Sequence, residues 1–272
     1  MKKLILSTLL VLTLMLTTQM NSQTKEGLFF SLNTGYSFGT SKQVGVVNNS
    51  TQLNGSNDRL ENIESSFGKG LNIGGAIGYM FNKNVGAELG INYLIGGKTT
   101  GTSTRLSGLR EERTYSAKML QFKPTLIISA GMEKINPYAK FGLLIGSGSI
   151  SLENTNTFGS NVNFIKGTID GGTAFGFHAG IGINYTINPK ISLFGELNMV
   201  NMSYAPTKGK ITENNTNGVN NLINANVKDT DIEFVDSFND GDATPSTSPR
   251  KQLKTNYAFG SFGFNFGIKY SL

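Results

Sequence analysis

The sequence predicts an all-β chain folded as a single eight-stranded antiparallel up-and-down barrel that spans a membrane. Three observations carry that expectation. The chain has one leader-like apolar run and no second. It then shows eight segments that alternate with period two, and its connections alternate short and long.

The first 22 residues read as a cleaved export signal. Lys2 and Lys3 supply the charged start, and Leu4 to Leu16 is almost unbroken apolar sequence. That run is too short for a bilayer, which takes about 20 apolar residues as a helix. The same length disfavours a retained anchor. Polar residues follow from Thr17 to Thr24 without a clean small-x-small cleavage pattern, so cleavage is expected near Ser22. No later run is long enough for a membrane helix, which excludes a helical membrane protein. There is no Cys, hence no lipoprotein anchor and no disulfide. The formal charge of +6 becomes +4 once Lys2 and Lys3 are removed (6 − 2). That excess is too small and too scattered to indicate nucleic acid.

From Gly27 onward, residues 23–272 read as one barrel domain. Leu28, Phe30, Leu32, Tyr36 and Phe38 share one face of the first segment, against Phe29, Ser31, Asn33, Gly35 and Ser37. The pattern recurs in segments centred on Ile73–Phe81, Val85–Ile95, Leu120–Ile128, Ala139–Ile145, Phe175–Tyr185, Ile191–Met199 and Phe262–Tyr270. The less apolar face is mostly Gly, Ser and Asn with a few ions, which suits a narrow lumen. Segments of about ten residues cover an apolar band about 25 Å tall at the usual strand tilt, whereas soluble strands tend to stop sooner. Pro124 lies within the fourth segment and cannot donate to a ladder, so a bulge is expected there.

Connections at 82–84, 130–136 and 188–190 are short, and those at 40–67, 98–113, 151–172 and 205–251 are long and polar. Barrels of the outer membrane pair short periplasmic turns with long extracellular loops. Tyr79, Phe81, Tyr185 and Tyr270 at the turn end, with Tyr36, Phe38, Tyr93 and Phe175 at the loop end, read as two aromatic girdles.

In this pattern the chain resembles the small outer-membrane barrels of OmpA and OmpX type, over nearly all of its length after the leader. Its Asn- and Gly-rich style is similar to that of Bacteroidetes proteins. The sharpest local feature is the end, Asn265-Phe266-Gly267-Ile268-Lys269-Tyr270-Ser271-Leu272. Asn265, Gly267, Tyr270 and Leu272 match the C-terminal β-signal of such barrels, with Leu272 in place of the commoner Phe. The resemblance implies that the barrel assembly machinery recognises this strand, and that no peptidoglycan-binding domain follows. It also implies residence in the bacterial outer membrane, among its lipids and lipopolysaccharide.

Few residues invite chemistry. His178, the only His, is expected in the lumen as a satisfied polar group; lipid-modifying barrels use a Ser-His-acid set at the lipid-facing surface or barrel mouth instead. Glu88, Glu196, Lys123, Lys140 and Lys269 are expected to point inward from different strands and to pair as a plug, because isolated charges in a narrow lumen are costly. A gate or ion path is the alternative use. Arg105, Arg110, Arg113 and Lys118 form a basic stretch expected near the outer rim, within reach of lipopolysaccharide phosphates. Asp229, Asp231, Glu233, Asp236, Asp240 and Asp242 are acidic, but the spacing fails the EF-hand pattern, so no metal and no cofactor are expected. The resulting expectation is a non-enzymatic surface barrel with an envelope-structural or adhesive role, its extracellular ligand unidentified. A narrow channel is the first rival and an outer-membrane lipid-modifying enzyme the second.

Overall fold

The computed structural model describes residues 27–40, 48–52, 58–62, 66–105, 108–239, 241 and 243–272. The leader at 1–22 and Asp240 and Asp242 lie outside them. Eight strands make the barrel: β1 (Gly27–Gly39), β2 (Gly70–Met80), β3 (Val85–Gly96), β4 (Arg110–Ser129), β5 (Ile135–Phe158), β6 (Ala174–Thr186), β7 (Ile191–Tyr204) and β8 (Ser261–Ser271). Each pairs antiparallel with its chain neighbour. β8 then closes on β1 from Phe29↔Ser271 to Gly39↔Ser261. Closure leaves no edge within the ring, which lipid could not solvate.

The outer surface of the ring is an apolar belt. Leu89, Ile91, Leu120, Phe122, Leu143, Phe177, Leu197 and Phe264 are all exposed there. Aromatic residues meet at both ends, with Tyr79 against Phe81 on the turn side and Tyr36 against Phe38 on the other.

The long connections differ from the polar loops expected at 98–113, 151–172 and 205–251, because much of them is sheet. Thr99–Thr104 pairs with the outer part of β4, and Asn161–Asp170 pairs with the outer part of β5. Lys208–Thr216 pairs with Asn161–Asp170 and with Asp231–Val235, and the latter pairs in parallel with Arg250–Leu253. Of the connection at 40–67, Asn48–Gln52 and Asp58–Asn62 pair as antiparallel strands. The barrel wall therefore continues beyond the belt as a folded β extension.

What sets the top of the belt is a switch of face within single strands. Along β4 the outward residues are Ile128, Leu126, Phe122 and Leu120, and then exposed Lys118. Over the same stretch the inward residues change from Thr125, Lys123 and Gln121 to buried Met119 and Ala117. β5 changes between Ile145 and Ser147, and β7 between Met199 and Asn201. Lipid outside requires apolar residues outside; once water replaces lipid, apolar residues gain only by turning inward.

Pro124 causes no bulge. Leu89↔Pro124 is in register with β3, and on the β5 side the ladder skips residues 123 and 124 and resumes at Thr125↔Gly142 in the register it had at Phe122↔Ile145. Omitting two residues from one ladder meets the missing N–H without an inserted residue.

Candidate functional site

The lumen is stacked in three layers. The outermost is an apolar plug of Phe67, Leu94, Met119, Leu144, Met202, Tyr204 and Phe259, continuous with Ile150, Ile169 and Phe234 of the extension. Phe259 packs edge-on to Tyr204 at 5.8 Å, and Phe67 lies 5.7 Å from Phe259. The Tyr204 hydroxyl faces two carbonyls, Gly148 O at 2.6 Å and Gly171 O at 2.7 Å. Burial, with the charge of Asp170, pushes that phenol up to about 12, so it stays a donor. A second apolar layer, Phe29, Met80, Ile127, Tyr138 and Phe194, closes the turn side.

Between them lies a polar chamber. Lys140 Nζ bridges Glu88 Oε1 at 2.9 Å and Glu196 Oε2 at 3.2 Å. Tyr138 OH donates to Glu196 Oε2 at 3.1 Å, and Asn265 Nδ2 reaches Glu196 Oε1 at 3.5 Å. Three strands thus supply one ion triplet, β3, β5 and β7, and Glu196 keeps two further donors. Desolvated charges demand such satisfaction. Lys123 lines the same chamber and makes no ion pair among the described residues. Lys269 sits on the turn side, its Nζ 3.7 Å from the centre of the Phe29 ring.

His178 Nε2 is 2.9 Å from Thr125 Oγ1, which itself lies 3.0 Å from the Lys123 carbonyl. If that carbonyl takes the hydroxyl proton, Thr125 accepts from Nε2–H and the tautomer follows. The ring faces the chamber, away from lipid. Asn92 Nδ2 donates to Asn33 Oδ1 at 3.1 Å across the same space. Sequence reasoning missed Asn33, Asn92, Thr125 and Tyr138; the signal available for each was inward parity beside a charged row.

The inward glycines are floors for large neighbours. A Cβ on Gly78 would strike the Phe29 ring, on Gly267 the Phe194 ring, on Gly182 the Tyr138 ring and on Gly142 the His178 Nε2. Inside the turn-side mouth, an open space of about 810 Å³ beside Met80, Asn184 and Lys269, what is left of the lumen is small. The polar chamber has a free volume of about 40 Å³, and the space below it about 20 Å³. At roughly 10–15 Å³ per water, the chamber has room for a few waters.

The rim residues are not one patch. Lys118 stands at the top of the belt, whereas Arg110 begins β4, eight residues further out and roughly 20 Å higher at the usual rise and tilt. Arg113 has the opposite parity to Lys118. Arg113 Nη2 pairs with Glu111 at 2.6 Å and Arg110 Nη2 with Glu112 at 3.7 Å, while Arg105 lies in the turn closed by Gly108 N to Arg105 O. The strand extension separates them. The acidic residues are dispersed as well: Asp229 accepts from Asn226 N at 3.3 Å, and Asp236 pairs with Lys254 at 3.0 Å. Among the described residues no group of three or more His, Asp or Glu is placed to hold a metal.

At the chain end, Asn265 and Gly267 face the triplet and the Phe194 ring, Tyr270 is outward opposite Phe30, and Leu272 N donates to Leu28 O at 3.0 Å. With the ring, the belt and this closure described, the sequence comparison is decisive: the model of the outer membrane protein beta-barrel domain family matches residues 7–234. The chain belongs to that family. As an outer membrane β-barrel protein it resides in the bacterial outer membrane. Solved structures similar to this barrel include Acinetobacter baumannii CarO2, at 14% identity with 90% of this chain and 99% of that chain covered and a TM-score of 0.33. Acinetobacter baumannii CarO is similar at 12% identity, with 88% and 97% covered and a TM-score of 0.31. No curated protein matches the outer membrane β-barrel chain.

Proposed function

We propose that this outer membrane barrel is a closed, non-enzymatic anchor whose working surface is the extracellular β extension. The role is envelope-structural or adhesive, through contacts made by that folded sheet. The observation that carries the reading is the filled lumen: apolar layers at Met119, Leu144 and Phe259 and at Phe29, Tyr138 and Phe194 bracket a triplet-centred chamber of about 40 Å³. Eight strands leave an interior that side chains can fill, and open pores come with about sixteen. A lipid-modifying reading finds little support, since His178 bonds Thr125 inside the lumen, away from lipid. Pairing of the last strand during assembly is part of the same proposal, because the β8 edge must close on β1.

Planar-bilayer recording of the purified full chain tests it. The expected result is no steady conductance at physiological salt. A stable open state in most insertions would overturn the closed-anchor reading and revive the channel one.

A further inference from the structure

We propose that Lys69 and Lys118, on either side of Gly97, form a binding site for a phosphate group of the outer-leaflet glycolipid. The switch of face fixes the height at which headgroups meet the wall. Lys69 lies two residues beyond Leu71, the last apolar outward residue of β2, and Lys118 two beyond Leu120 on β4. Gly97 lies two beyond Ile95 on β3, between them. Among the described residues, only these two of the eight strands carry a cation as the first outward residue beyond the belt.

The two cations share one opening. Gly97 N donates to Lys69 O at 2.9 Å, so the two residues are neighbours across the ladder, and Lys118 stands opposite Ile95. Gly97, directly opposite Lys69 and diagonal to Lys118, has no side chain to separate them. The Lys69 stem uses that space: its Cγ, Cδ and Cε lie 3.6–3.8 Å from where a Gly97 Cβ would stand, so the stem lies over β3. Both side chains are exposed, and neither makes an ion pair among the described residues. The carboxylate higher on β5, Glu153, is already held by Lys166 at 3.3 Å and Lys98 at 4.0 Å. Ser149, opposite Lys118 on β5, adds a hydroxyl donor.

Two unpaired like charges over a side-chain-free gap are a poor arrangement in isolation and a good one around a multivalent anion. The anion available at that height, just above an apolar belt, is a lipid phosphate. Each lysine can lay its stem on the belt while its ammonium reaches the headgroup. Arg105, Arg110 and Arg113 are too high or already paired to share the site.

The test is native mass spectrometry of the purified full chain released from detergent with defined glycolipid. Bis-phosphorylated lipid A is the probe, and its dephosphorylated form is the comparison. The wild-type barrel is expected to retain the phosphorylated form selectively, and K69Q/K118Q to lose that affinity by roughly thirtyfold. K98Q, a cation outside the gap, is expected to bind as wild type does. Gly97→Val, which fills the space under the Lys69 stem while keeping both charges, is expected to weaken binding as well. Heat-modifiable migration on gels verifies that each variant is folded. Equal retention by the double variant, or no preference for the phosphorylated lipid, would overturn the site. Displacement by millimolar inorganic phosphate would overturn the lipid as its ligand. An equal loss in K98Q would show diffuse charge attraction and overturn it too.

Discussion

One strand, β5, runs through two environments, and its two halves obey opposite rules. Within the belt, Phe141, Leu143 and Ile145 face out while Lys140 points inward at the centre of the ion triplet. Beyond it, Ser147 and Ser149 face out while Ile150 is fully buried in the plug. The register with β4 is the same in both halves, while the solvent on the outer side changes. Which side chains belong inside is therefore set by what lies outside, and the two halves should fail in different ways.

The belt half should be the more sensitive to charge. Changing Lys140 to Met leaves Glu88 and Glu196 facing each other without their shared cation, and is expected to cost about 3–5 kcal/mol. Urea unfolding in lipid vesicles, read by heat-modifiable migration, measures it. A triple E88Q/K140M/E196Q change should recover most of the loss. A full-sized loss in the triple variant would mean that packing, not charge pairing, holds the chamber.

Next in size, Ile91→Arg places a cation on the lipid face near the middle of the belt and should cost about 2–4 kcal/mol in the same assay. The sharper half of that comparison is Asn201→Arg, outward but above the switch on β7, which should change stability by less than about 0.5 kcal/mol. Comparable losses at the two positions would misplace the membrane boundary.

Between these, Tyr204→Phe removes the hydroxyl that faces Gly148 O and Gly171 O and is expected to cost about 1–3 kcal/mol. The loss should appear as easier protease cutting of the extension while the belt stays folded. The phenol is raised from 10 to about 12, so its contribution is complete below pH 10 and disappears as pH climbs through 12. The variant should lack that alkaline step.

The same switch explains what the sequence made legible. All eight ring strands could be read from period two, because belt residues such as Leu89, Ile91 and Tyr93 contrast with Glu88, Gly90 and Asn92 on the other face. The outer half of β5 could not. There Ser147, Ser149 and Ser151 replace the outward aliphatics, and the apolar run passes to Ile150 and Leu152, so a reading tuned to one phase stops at the change. A search for alternation that continues with inverted phase would have found it, as it would Tyr115, Ala117 and Met119 on β4. In the chamber, parity alone aligned Glu88, Lys140 and Glu196 inward, since misplacing any of them would put a charge in lipid. Tyr138 and Asn265 gave no such signal, because an inward Tyr or Asn is unremarkable until the cross-strand register is known. The rim lysines fall in the same class. Lys118 reads like its neighbours Arg110 and Arg113 until the top of the belt is fixed, and Lys69 stands out only beside Gly97.

The length of β5 also has a mechanical consequence. β5 spans Ile135 to Phe158 without interruption, roughly 80 Å of chain at the usual strand rise. A pull applied at its outer tip has no hinge at which to concentrate. The load runs along the strand and is shared as shear by many parallel hydrogen bonds, which must slip together for the wall to yield. A tether built this way resists a lengthwise tug far better than one whose bonds open one at a time, like a zip.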